Sequence, residues 1–236
     1  LEEGFGVNQD QAKAVEWLRT AALQGETAAQ TSLAKHYEFG VGTEQDKELA
    51  VRWYEKAVQG GDPEGMCCLG WLKQTGKWVE ADPEGAVELY RQAAQMGSVR
   101  GMVQLGDCLM EGIGVAADPE MAVAWYRKGA NEGDREAMFS LGLSYELGQG
   151  VEQDDVKAAL WYEQSAQLGS GAGMNNFAEL LAKGRGVPKD LGKALEWYRK
   201  AADLGNVYAL YNMGWYLEKA GNLEKARACY EQAKAE

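Results

Sequence analysis

Apolar and polar residues alternate along this chain with a helical period set inside a longer one. In residues 118–133, Ala122, Trp125, Tyr126 and Ala130 recur at steps of three and four, the stripe of an amphipathic helix. The stripe returns every 36 residues. Trp125 is matched by Trp17, Trp53, Leu89, Trp161 and Trp197, and Ala122 by Ala14, Ala50, Ala86, Ala158 and Ala194. A second stripe precedes each first one. It sets a small residue (Ala29, Gly65, Gly101, Ala137, Gly173, Ala209), then an apolar one (Leu33, Leu69, Leu105, Leu141, Phe177, Met213), then another small one (Ala34, Gly70, Gly106, Gly142, Ala178, Gly214). Each unit therefore predicts two helices, and the fixed period predicts a stacked array with a continuous core. Glycine inside a helix costs about 1 kcal/mol relative to alanine, so its repeated use predicts close helix packing.

The punctuation follows the same period. Asp10, Asp46, Asp82, Asp118, Asp154 and Asp190 stand where an N-cap opens the second helix of a unit, and Pro83 and Pro119 occupy first-turn positions. Gly25, Gly61, Gly97, Gly133, Gly169 and Gly205 close it. Asp62, Ser98, Asp134, Ser170 and Asn206 cap the first helices; Glu26 departs, and Thr27 is expected to serve there. Gly-x-Gly-Val joins the helices at residues 4–7, 112–115, 148–151 and 184–187, with a left-handed first glycine and a valine turned to the core. Gly40-Val-Gly-Thr43 is close to it, and Gly76-Lys77-Trp78-Val79 departs. The expected order is a leading helix near 10–24 and helix pairs at 27–60, 63–96, 99–132, 135–168, 171–204 and 206–235, the last shortened as a terminal repeat.

No stretch approaches the 18 apolar residues of a membrane span. The net charge of −12 argues against a phosphate-backbone binder and an anionic membrane surface, and mildly favours a basic partner. Cys67, Cys68, Cys108 and Cys229 ignore the repeat and show no metal spacing. They read as buried apolar thiols, with a bond from Cys67 or Cys68 to Cys108 left to geometry. The chain begins within a repeat and without Met, the form of a processed fragment, so any targeting segment would lie outside it.

Leu141-Gly142-x-x-Tyr145-x-x-Gly148-x-Gly150-Val151-x-x-Asp154 and Lys193-Ala194-x-x-Trp197-Tyr198-x-Lys200-Ala201-Ala202-x-x-Gly205 resemble the Sel1-like repeat, a relative of the tetratricopeptide repeat. The resemblance runs over essentially the whole chain. It implies an all-α fold, a right-handed α/α superhelix forming one repeat domain over 1–236. That domain comprises a leading half-repeat at 1–25, Sel1-like pairs at 26–205 and a tetratricopeptide-like capping pair at 206–236. It also implies a non-enzymatic adaptor or scaffold for protein complexes, with no cofactor and, for many bacterial members, a periplasmic or secreted location. Immunity to a secreted toxin is a second use within the family. A cysteine-rich branch with a disulfide in each repeat is linked to β-lactam binding. This chain lacks those pairs, so a hydrolase on cell-wall or β-lactam substrates is disfavoured.

The candidate chemistry reads as structural. The Gly-x-Gly loops lack the strand, final glycine and acidic partner of a dinucleotide site. The in-register aspartates are caps. Gly142-Leu-Ser144-Tyr-Glu146 is one residue short of a nucleophile elbow and follows no strand. His36, the single histidine, reads as an ordinary, partly exposed side chain. The period assigns the repeat tryptophans and the column Met66, Met102, Met138, Met174 to the core.

Function is expected where backbone obeys the period and side chains do not. By the resemblance, first helices line a concave groove. One column there reads Thr31, Cys67, Val103, Phe139, Asn175, Tyr211; the next reads Lys35, Trp71, Asp107, Leu143, Glu179, Trp215; and beside them run Ser32, Cys68, Gln104, Ser140, Asn176, Asn212. Trp71, Phe139, Leu143, Tyr211 and Trp215 are candidate apolar anchors for a protein or peptide. Asn176 and Asn212 are candidates to bond its backbone, since an amide both donates and accepts, and Asp107 and Glu179 supply charge. The competing reading is that Trp71 and Trp215 fill the inside of a tight superhelix.

Overall fold

A computed structural model describes residues 10–235, which divide into two compact units at Asp118 and Pro119. The loop expected at residues 4–7 lies outside the described residues. All thirteen elements among the described residues are helices. The first unit holds α1 (Gln11–Leu23), α2 (Thr27–Phe39), α3 (Lys47–Gln59), α4 (Pro63–Thr75), α5 (Pro83–Gln95) and α6 (Val99–Glu111). The second holds α7 (Pro119–Asn131), α8 (Arg135–Leu147), α9 (Asp155–Gln167), α10 (Gly171–Lys183), α11 (Leu191–Asp203), α12 (Val207–Lys219) and α13 (Leu223–Ala235).

The expected caps are made. Asp10, Asp46, Asp82, Asp154 and Asp190 each accept a backbone N–H of the first helical turn, as do Asp62, Ser98, Asp134, Ser170 and Asn206. Glu26 occupies the cap of α2 without a side-chain bond, and Thr27 is already helical, so it does not serve as the expected substitute. Gly40, Gly76, Gly112, Gly148 and Gly184 end the first helices in the left-handed conformation. The second loop glycine meets a stricter demand. A Cβ on Gly150 would stand 2.1 Å from the Pro119 carbonyl oxygen, and one on Gly186 2.0 Å from that of Asp155. The Gly-x-Gly loop thus presses onto the start of the preceding second helix, which gives the motif its structural reason. Trp78 takes this place in its own loop and is the one non-glycine residue with positive φ, at 67°, among the described residues.

Within each unit the first helices meet one another: α2 meets α4, α4 meets α6, α8 meets α10 and α10 meets α12. The second helices pack chiefly on first helices. The first-helix layer is therefore the tighter one, and its outer surface forms the inner face of each unit. Leu33, Leu105 and Leu141 are fully buried between the layers, each contributing roughly 2–3 kcal/mol of transfer free energy.

The aromatic pair of each second helix divides its work differently from the expectation. Tyr54, Tyr90, Tyr162 and Tyr198 are completely buried, and Tyr126 nearly so. Of the tryptophans placed in the core, only Trp53 is buried; Trp125, Trp161 and Trp197 are half-buried, and Trp17 is 68% exposed. Both residues lie in one apolar stripe, but the tyrosine points at the axis of contact with the first helix. In three repeats a lysine three residues on covers the tryptophan's outer face: Lys56 over Trp53 at 4.1 Å, Lys128 over Trp125 at 3.9 Å, Lys200 over Trp197 at 4.1 Å. His36 is buried rather than partly exposed. Its Nδ1 pairs with the Val41 carbonyl oxygen and ties down the loop after α2. All four cysteines are buried free thiols, so no bond joins Cys67 or Cys68 to Cys108.

Candidate functional site

In the first unit the inner face is built by α2, α4 and α6. Thr31 and Cys67 of the variable column are buried, so the column is a packing position there. Trp71 is 37% exposed and Asp107 exposed. Trp71 borders a cavity of about 290 Å³ together with Lys35, Phe39, Lys77 and Arg100. Glu64, at the start of α4, binds Lys35 Nζ at 2.8 Å and Arg100 Nη1 at 2.6 Å through the same carboxylate oxygen. Burial works to raise its pKa, and the two cations prevail and hold it below the ordinary carboxylate value. The ammonium of Lys77 sits 4.7 Å from the ring centre of Trp71 and 4.5 Å from that of Trp78.

In the second unit α8, α10 and α12 form the inner face. Phe139 and Leu143 are half-buried and pack on the core, Phe139 against the Tyr162 ring at 5.7 Å. Their side chains lie against the core more than they project from it. Asn176 and Asn212 are joined through Asn175: Asn212 Nδ2 donates to Asn175 Oδ1 at 3.0 Å, and Asn175 Nδ2 donates to Asn176 Oδ1 at 3.1 Å. Glu179 accepts a short hydrogen bond from the Tyr198 hydroxyl and pairs with Lys183 at 2.6 Å. Burial again pushes its pKa up, and Lys183 and Tyr198 reverse that, leaving the carboxyl below its usual value.

The exposed part of this face is aromatic. Tyr208, Tyr211 and Trp215 are 79%, 60% and 43% exposed and stand three and four residues apart, on one side of α12. Tyr211 leans on Tyr230 at 5.5 Å, and Trp215 meets Tyr216 edge-on at 4.7 Å and borders a cleft of about 240 Å³ with Lys189 and Leu191. Asn175 and Lys35 stood in the groove columns without being singled out, and Tyr208, Glu64 and Arg100 escaped the sequence reading. A signal existed for Tyr208, Glu64 and Arg100. They share the freely varying column Ala28, Glu64, Arg100, Glu136, Ala172, Tyr208.

Groups that would suit chemistry are engaged structurally. Burial pushes the Cys67 and Cys108 thiols up to about 11, away from the thiolate. Among the described residues, no three His, Cys, Asp or Glu side chains are gathered as metal ligands. No helix of the described residues is long and apolar enough to cross a membrane.

The Sel1 repeat model matches residues 1–26, 27–62, 63–98, 99–134, 135–170 and 171–206, and a tetratricopeptide repeat model matches 207–236. No curated protein matches the chain. Among solved structures, a Sel1 repeat protein from Oxalobacter formigenes is 31% identical with a TM-score of 0.83, the match covering 96% of this chain and 97% of that one. A protective antigen of uropathogenic Escherichia coli is 34% identical with a TM-score of 0.81 over 99% of this chain. The chain spans about half of its length, 51%. An immunity protein from Pseudomonas aeruginosa shares the fold at 23% identity and a TM-score of 0.58, over 84% of this chain and 76% of that one.

Proposed function

The chain belongs to the Sel1 repeat family, and we propose on that footing that it is a non-enzymatic scaffold docking a protein or extended peptide along its first-helix faces. The observation that carries this reading is the stripe Tyr208, Tyr211 and Trp215, three exposed aromatics on one side of α12 beside the amide chain of Asn212 and Asn175. Aromatic side chains that keep their faces in solvent while neighbouring positions are packed are the anchors such interfaces use. The amides alongside suit the alternating donors and acceptors of a peptide backbone. Trp71 gives the first unit an anchor of the same kind.

The net charge of −12 favours a partner with a basic surface, since it raises the encounter rate with one. That same property suits occlusion of a basic secreted toxin. A toxin neutralised in vitro by the wild type, and not by a stripe variant, would establish this narrower use.

The general reading is tested by affinity capture from the source cell. Wild type would be compared with Tyr208→Ala/Tyr211→Ala/Trp215→Ala and with Trp71→Ala, each checked by thermal melting. A protein held by the wild type and lost from a folded variant is the expected result. Retention unchanged in all folded variants would remove both faces from the interface.

A further inference from the structure

We propose that the pocket beside Trp71 recognises a partner segment presenting a carboxylate side chain next to an aromatic or branched apolar one. This rests on the reading of the first-helix face as a docking surface and names the anchor that the first unit takes. In a chain of net charge −12, Lys35, Lys77 and Arg100 converge on one cavity of about 290 Å³. Two of them already display the recognition. A single carboxylate oxygen of Glu64 lies 2.8 Å from Lys35 Nζ and 2.6 Å from Arg100 Nη1. The other carboxylate at the cavity, Glu38, accepts the Tyr54 hydroxyl at 2.6 Å. Among the described residues, three cations thus line the cavity against one carboxylate in its lining, Glu38, and one beside it, Glu64. The further contact of Arg100 Nη1 is the Cys68 sulfur at 3.6 Å, a weak acceptor that a carboxylate oxygen would improve upon.

The cavity walls supply the apolar half of the match. Phe39 is largely exposed and Trp71 partly so, and between them they border space for one apolar side chain. Lys77 is held beside the cavity by the indoles of Trp71 and Trp78, which place its charge there, and among the described residues no carboxylate forms a salt bridge with it. Trp78 does this from a left-handed backbone position that glycine fills in the Gly40, Gly112, Gly148 and Gly184 loops. Such strain is retained where a site uses it. A local anion anchor is compatible with a partner of positive net charge, because long-range steering is screened beyond about 10 Å at 0.1 M salt while the pocket contacts are direct.

The test is a calorimetric titration with two blocked tetrapeptides, acetyl-Ala-Phe-Glu-Ala-amide and acetyl-Ala-Phe-Gln-Ala-amide. The wild type is expected to bind the glutamate peptide roughly tenfold more tightly, the scale of one to two charge-assisted hydrogen bonds. Lys77→Gln/Arg100→Gln is expected to bring the two peptides within about twofold of each other. Lys77→Gln alone leaves the Glu64 bridge intact and is expected to remove part of the preference, so the test survives if the double variant fails to fold. Equal affinities on the wild type, no binding of either peptide, or a preference undiminished in Lys77→Gln would each overturn the proposal. A protein captured through Tyr208, Tyr211 and Trp215 while the peptides are not distinguished would leave the scaffold reading standing and remove this anchor.

Discussion

The ring of Tyr162 stands where a side chain at Gly142 would have to be. A Cβ on Gly142 would lie 2.5 Å from Tyr162 Cδ1 and 2.6 Å from Cε1. The same relation joins Gly70 to Tyr90 and Gly214 to Tyr230, with a Cβ at 2.5 and 2.7 Å from ring carbons. The phenol of Tyr162 then reaches past the glycine to Glu146 Oε2 at 2.8 Å, one turn further along α8. Tyr54 reaches Glu38, and Tyr90 reaches Gln74, from equivalent places. Gly70 and Gly142 are therefore sockets for the buried Tyr90 and Tyr162, and Gly214 for the half-buried Tyr230, while the column holds alanine at Ala34 and Ala178; the side chain one turn on accepts the hydroxyls of Tyr54, Tyr90, Tyr162 and Tyr230.

Gly142→Ala sets two effects against each other. Alanine gains about 1 kcal/mol in helix propensity, and the methyl drives into a ring that the core holds on every side, which costs about 1–3 kcal/mol or more. Packing is expected to win, with a net loss of roughly 1–2 kcal/mol in urea denaturation. Gly192→Ala, exposed near the start of α11, is the control. Its Cβ would meet nothing closer than 3.4 Å, and a gain of about 0.5 kcal/mol is expected. Equal stabilisation of both variants would disprove the socket.

What the sequence displayed was whatever the 36-residue period repeats: helices, caps, left-handed loop glycines and the small-residue columns. It did not display which member of a Trp-Tyr pair is buried, since adjacent residues fall within one apolar stripe and only the facing helix decides between them. Nor did it display contacts that cross repeats, such as Lys35 with Glu64 and Arg100, or Asn175 with Asn212. Those depend on side-chain reach across a distance near one period. Tyr198 shows the limit well. Ala182 stands where Glu146 stands one repeat earlier, and the phenol turns to Glu179 instead, which engages a carboxylate that the variable column had marked for a partner.

The division between core tyrosine and marginal tryptophan predicts unequal costs in α7. Tyr126 is nearly fully buried and Trp125 half-buried under Lys128. Tyr126→Ala is expected to cost about 3–5 kcal/mol, and Trp125→Ala about half of that, since much of the indole remains solvated in the native state. Chemical denaturation of the two single variants decides it. A larger loss for Trp125→Ala would return the tryptophan to the core.

Alkaline pH should weaken the first unit through its thiols. Burial raises Cys67 and Cys108 from 9.0 to about 11. The folded chain then holds these protons more tightly than the unfolded one. Their contribution is complete below pH about 9 and is lost as pH rises through about 11. Between pH about 8.5 and 10.5 the wild type is expected to lose roughly 3 kcal/mol more than Cys67→Ala/Cys108→Ala, whatever the cavity cost of the variant at the lower pH. Parallel pH profiles for the two proteins would show that the thiols titrate alike in both states.

Arg185 joins the start of α9 to α8 from the loop after α10. It grips Asp155 with a fork, Nη2 to Oδ1 at 2.6 Å and Nε to Oδ2 at 3.1 Å, and gives Nη1 to Glu146 Oε1 at 2.9 Å. The three groups are each about a third exposed or less, so solvent screens the pairs and only part of their Coulomb energy survives. Arg185→Ala is expected to cost roughly 1–2 kcal/mol, and Arg185→Lys to recover little, because an ammonium cannot make the parallel bonds. A double-mutant cycle with Asp155→Asn should return a coupling of about 1 kcal/mol at low salt that shrinks toward 1 M NaCl. A coupling near zero would mean that the Asp155 fork adds no stability and that whatever Arg185→Ala costs comes through Glu146.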